Sequence, residues 1–243
     1  MNGFFAKFSR GFRTPVDGLG LIFRSKQTFI YAAIPFFIGM LVLMFGVYWG
    51  YNYLGGLISG FITGYLPSSG WFFSVLSGIV QVLASLAFVT LLFVGLYILL
   101  SILCGPFLSL MTEGILKQSW PEWTSKSSTS LVIRMFLLSL VKALLFVFIS
   151  CICFILAFLP PLNFVGSFLV FLMIAFDCMD YSFEVDLMSL GQRFQFFFDH
   201  FPYFLGTTVV LSLMAFIPGL LFLLLPAVVA GAARLFVDLR SVQ

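Results

Sequence analysis

The run Arg24-Ser25-Lys26-Gln27-Thr28 gathers two cations and two hydroxyls within five residues, just before a long apolar stretch. Such groups recognise an anion. If a helix starts there, its unpaired N–H groups and its dipole add to the attraction. The alternative is ordinary positive charge flanking an apolar segment, with long side chains reaching toward lipid headgroups. Lys142 is a second candidate. It lies about two turns beyond Arg134 inside an apolar run, where a cation is a functional candidate by default; reaching out to the interface is its alternative. The candidate binding set is therefore Arg24, Ser25, Lys26, Thr28 and Lys142.

Acidic chemistry is concentrated in Asp177, Asp180 and Glu184. At i, i+3 and i+7 they share one face of any helix that continues that far. A D-x-x-D pair can hold a divalent cation or, buried, act as a protease dyad. The structural alternative is the end of a helical hairpin paired with Arg193 or Arg234. Asp199-His200 includes a histidine, the residue type most often used in gating, but reads better as an interfacial cap. No Ser/His/Asp constellation, phosphate-cradling glycine loop or basic–aromatic interleaving is present. A single histidine rules out a His-based metal cluster, and Cys151 and Cys153 point to nearly opposite helix faces. The expectation is no enzyme, no cofactor, no metal and no nucleic-acid partner.

The elements that position these groups follow from composition. Hydrophobic residues make up 62% of the 243 positions and charged residues 9%, and phenylalanine alone accounts for 34. A soluble domain carries about 25% charged residues. With a mean hydropathy of +1.16, the chain reads as an integral membrane protein. Its apolar runs are continuous rather than alternating, which excludes a barrel and leaves helices.

No charged residue occurs between Lys26 and Glu113, enough for two long spans, expected at about 29–57 and 72–103. The turn between them is expected at Ser59–Trp71, rich in Gly, Ser and Pro. Residues 1–26 alternate phenylalanines with Lys7, Arg10 and Arg13, as in an amphipathic helix lying among headgroups. Residues 104–130 form an interfacial segment, and 181–202 a second one. Every basic interruption of an apolar run falls on one side, so both termini are expected in the cytoplasm of a bacterial inner-membrane protein.

The second half reads as two helical hairpins, 131–180 and 203–238. After Pro160-Pro161 the uncharged run 162–176 is short for a span, which needs about 20 residues. Asn163 is expected to cap the helix that follows. The pattern recurs 58 residues on, with Pro160 matched by Pro218 and Asp180 by Asp238. Short paired segments broken by Pro or Gly mark membrane-embedded turns, and the reading preferred here is hairpins that dip into the bilayer and return.

Three stretches carry a family resemblance. "GPFLSLMTEGI" (105–115) looks like a GPF-type segment of the CysZ sulfate permease and etoposide-induced-protein family. "FDCMDYSFEVD" (176–186) is similar to its Cys-Asp-Tyr element, and "FIPGLLFLLLPAVVAGAARLFVD" (216–238) resembles its terminal pattern. The resemblance implies an all-α membrane fold of two long spanning helices, two hemi-penetrating hairpins and an N-terminal amphipathic helix. It also implies inward transport of sulfate or a related small oxyanion for sulfur assimilation, in a homo-oligomer within the lipid bilayer. That family opens its first span with Gly, an apolar residue and two arginines. Gln27-Thr28-Phe29-Ile30 stands there instead, and Arg24 and Lys26 are the nearby cations available in their place. The missing pair keeps a non-transporting membrane interaction protein of the same fold as the alternative.

Overall fold

A computed structural model of the chain describes residues 3–65, 71, 74–75, 77–79, 103–120, 122–124, 141, 144, 148–149, 152, 160–217 and 219–240. Among these every regular element is a helix. They are α1 (Phe4–Phe12), α2 (Thr14–Arg24), α3 (Lys26–Tyr65), α4 (described over 103–119), α5 (Pro160–Val185), α6 (Leu190–Asp199), α7 (Phe201–Ala215) and α8 (Leu220–Arg240).

The N-terminal segment is two helices rather than one. They meet at Arg13, and Pro15 enters α2 in its first turn, where a missing N–H does no harm. Glycines bring both onto the C-terminal hairpin. α1 crosses α7 where a Cβ on Gly11 would overlap the Tyr203 carbonyl, and one on Gly206 would overlap the Phe8 carbonyl. α2 crosses α8 in the same way, with Gly18 against the Ala227 carbonyl and Gly231 against that of Thr14. Between the two crossings the Thr14 and Thr207 hydroxyls lie 3.3 Å apart. The Thr207 hydroxyl is 3.1 Å from the Gly11 carbonyl oxygen.

α3 differs from expectation at its far end. It runs through Ser59 and Gly60 to Tyr65 without turning. Glycine weakens a helix by only about 1 kcal/mol, whereas a residue preceding proline is pushed out of the helical region. The helix is described as far as Tyr65. The remainder of the expected second span lies mostly outside the described residues. α4, described from residue 103, is helical through the Gly105-Pro106 pair, with Cys104, Leu108, Met111 and Leu116 buried. Cys104 and Cys178 are free thiols.

α5 corrects the reading of Asn163 as a cap. The helix already starts at Pro160, with Asn163 inside it, and continues past the acidic residues to Val185. Prolines at the first helical positions lose no hydrogen bond, so the Pro-Pro pair starts the helix. Val165, Phe168 and Leu169 are exposed, whereas the half from Ile174 to Val185 is largely buried. The end of α5 is a Schellman turn: the Leu187 and Met188 N–H groups donate to the Glu184 and Phe183 carbonyls at 3.1 and 2.9 Å. Leu187 takes the left-handed position at φ 59°, which for a residue with a Cβ is unfavourable by about 1–2 kcal/mol.

α6 and α7 meet at 83° about His200. The expected turn before α8 is present, with Gly219 at φ 84°, a conformation glycine adopts without strain. The core gathers around Phe183, which meets Phe196, Phe236 and Phe176 edge-on at centroid distances of 5.2, 5.7 and 6.0 Å.

Candidate functional site

Ser25 separates α2 from α3. Its backbone is extended (φ −126°, ψ 125°), and its carbonyl accepts the Phe29 N–H at 2.9 Å. The N–H groups of Lys26, Gln27 and Thr28 therefore precede the ladder of a 40-residue helix. The Ser25 hydroxyl accepts from the Gln118 side-chain amide of α4 at 3.1 Å, which ties the junction to α4. Arg24 and Lys26 are exposed, and neither makes an ion pair with a described residue. Thr28 turns inward and is buried. The junction thus groups Arg24, Ser25 and Lys26 at one surface, with Thr28 behind them. Lys142 lies outside the described residues. Gln118 was not singled out in the sequence: 93 residues separate it from Ser25, and a glutamine carries no spacing signal.

The acidic face of α5 is structural in character. One Arg193 nitrogen lies 2.7 and 3.0 Å from the two Asp180 oxygens, and Nε donates to the Met188 carbonyl at 3.0 Å. Both side chains are buried, at 6% and 2% exposure. With Asp180 occupied by a guanidinium, a D-x-x-D cation site loses one of its carboxylates. Of the two arginines expected at this hairpin end, Arg193 is the partner; Arg234 lies 3.3 Å from Asp238 instead. Glu184 is buried with the Ser109 hydroxyl 3.5 Å away. Asp186 accepts from Trp123 Nε1 and from Arg240, each at 3.3 Å, tying the segment after α4 to the ends of α5 and α8. Trp123 and Asp186 were not anticipated as partners.

His200 stacks on Phe196 at 4.2 Å, with Nδ1 3.1 Å from the Phe196 carbonyl oxygen. That is the geometry of a cap at the α6–α7 bend. Beside it lies a polar concavity of about 210 Å³ lined by Gln192, Gln195, Asp199 and Arg240. Among the described residues no group of three or more His, Cys, Asp or Glu is disposed to hold a metal ion.

The family model described as sulfate transporter CysZ/etoposide-induced protein 2.4 matches residues 14–226, from the start of α2 into α8. No curated protein matches the chain.

Proposed function

Since the chain belongs to the sulfate transporter CysZ/etoposide-induced protein 2.4 family, we propose that it is a non-enzymatic inner-membrane permease that moves sulfate or a related small oxyanion inward. The observation that carries this is the α2–α3 junction: two exposed cations without a carboxylate partner among the described residues, at the N-terminus of the longest described helix. Helix N-termini and cations together favour an oxyanion. Ser25, held by Gln118, adds a hydroxyl, and Lys142 completes the proposed set.

The distribution of apolar surface supports the membrane setting. The segment Lys26–Gly46 is long and apolar enough to cross a bilayer. Its side chains Phe37, Leu41 and Phe45 are exposed, as are Phe216 and Ile217 at the tip of the α7–α8 hairpin. The polar ends of α5, α6 and α8 are knitted together away from that tip. In this reading both termini are cytoplasmic, the hairpins enter the membrane without crossing it, and neighbouring copies cover the rest of their apolar flanks. Cysteines placed at Leu162 and Leu220 are then poorly reached by an impermeant thiol reagent from outside; rapid labelling of both would show ordinary spans.

The site is tested by calorimetry on purified, correctly inserted protein. Arg24→Gln with Lys26→Gln removes two charge-assisted contacts of about 1.5–3 kcal/mol each, so sulfate affinity falls by roughly two to four powers of ten. Unchanged affinity moves the site elsewhere. The absence of the family's arginine pair at Gln27–Ile30 favours the second reading, a non-transporting membrane interaction protein. It gains ground if the wild type binds no oxyanion.

A further inference from the structure

A cleft of about 260 Å³ opens between α2, α3 and α8, and all of its lining residues are apolar. Leu19 and Phe23 form one wall, Phe29, Ala33 and Phe37 another, and Leu224 stands on the α8 side. Water is a poor occupant of such a space, since a held water needs two to four polar partners. The Phe23 and Phe29 rings stand 5.9 Å apart at the mouth of the cleft nearest the α2–α3 junction. Arg24, Ser25 and Lys26 lie in the chain between these two lining residues, so the cationic junction borders the apolar cleft. The candidate membrane span begins at Lys26, which puts that mouth at headgroup depth and the cleft along the hydrocarbon.

From this juxtaposition we infer that the cleft holds an acyl chain of an anionic glycerophospholipid whose phosphate rests on Arg24 and Lys26. The apolar walls match the chain, and the two cations match the headgroup charge. A second copy of this protein would fill an apolar cleft without selecting a headgroup, so charge selectivity separates the two occupants. The inference rests on the membrane reading of the preceding section. It also makes the lipid phosphate and a free oxyanion competitors for the same cations: the lipid needs cations and cleft, the free oxyanion only the cations.

The test uses full-length protein in mild detergent, stripped of lipid and then exposed to phosphatidylglycerol or phosphatidylcholine of identical acyl chains, with bound lipid counted by native mass spectrometry. The wild type keeps one phosphatidylglycerol in preference to phosphatidylcholine by about thirtyfold, the combined attraction of two basic residues near a surface. Arg24→Gln with Lys26→Gln brings that ratio close to one. Ala33→Phe fills the cleft and lowers retention of both lipids. Phe37→Ser removes an exposed wall, and provides the same readout if Ala33→Phe fails to fold. Sulfate calorimetry on the cleft variants separates the two ideas, because loss of lipid with unchanged sulfate affinity leaves both standing. Equal retention of the two lipids by the wild type overturns the inference. So does full retention of phosphatidylglycerol in the folded cleft variants, or a cleft variant that changes only the oligomeric mass.

Discussion

Asp180 and Asp238 stand 58 residues apart at matching places in the sequence, near the ends of α5 and α8, and each meets arginine. The similarity ends there. Asp180 and Arg193 are almost wholly buried and belong to neighbouring helices. Asp238 is 27% exposed and sits 2.7 Å from Arg10, which is 54% exposed and comes from the other end of the chain. The first pair is enclosed where water cannot replace a lost partner. It also braces the left-handed Leu187 turn, through the Arg193 contact to the Met188 carbonyl. The second pair joins α1 to α8 at a surface where solvent and salt compete. Two aspartates at matched sequence positions therefore serve two roles, and the difference is set by burial rather than by residue type.

The largest expected break in that contrast is Arg193→Met. It leaves Asp180 buried without this guanidinium, and removing one partner of a buried pair is unfavourable by about 3–5 kcal/mol. Thermal unfolding in detergent should show the loss, and Asp180→Leu with Arg193→Met should recover much of it. A double variant no better than Arg193→Met alone would mean that the charge was not the cause.

Next in size are the glycine crossings that hold α1 and α2 where Arg10 can reach Asp238. Gly18→Ala forces a Cβ into the Ala227 carbonyl, an overpacking of about 1–3 kcal/mol. Gly20→Ala on the same helix meets nothing within 4 Å and should stabilise by about 0.5–1 kcal/mol. Opposite signs in parallel melting curves check the crossing directly. The smallest effect belongs to Asp238→Asn, at below about 1 kcal/mol. It should disappear in 1 M salt, where the screening length is about 3 Å. A salt-independent loss would show the pair to be more enclosed than its exposure implies.

The parts legible in the sequence are those set by local chemistry. Continuous apolar runs gave the helices, Gly219 gave the last turn, and an acidic residue at a helix end named Arg193 as one of two possible partners. The α2–α3 junction was visible as a cluster of polar residues. What stayed hidden depends on distant parts of the chain meeting. Nothing at Gly11 or Gly18 reveals that a helix about 200 residues away crosses there, and Gln118 shows no sign of reaching Ser25. Leu187 takes a position where glycine is usual because the flanking Phe183–Met188 packing and Arg193 hold the turn. Local propensity also erred at Ser59–Gly60, where scattered glycines did not stop α3, and at Asn163, where the prolines before it had already started α5.

In the proposed function this fold carries an oxyanion across a bilayer through the Arg24–Lys26 junction. Uptake of labelled sulfate into proteoliposomes tests it most directly, with selenate, phosphate and chloride as competitors and orientation verified. The expected result is saturable uptake by the wild type, reduced by at least about a hundredfold at low sulfate in the Arg24→Gln, Lys26→Gln protein, as the loss of two charge-assisted contacts requires. No uptake by correctly oriented wild type, with any of these anions as the labelled species, would contradict it.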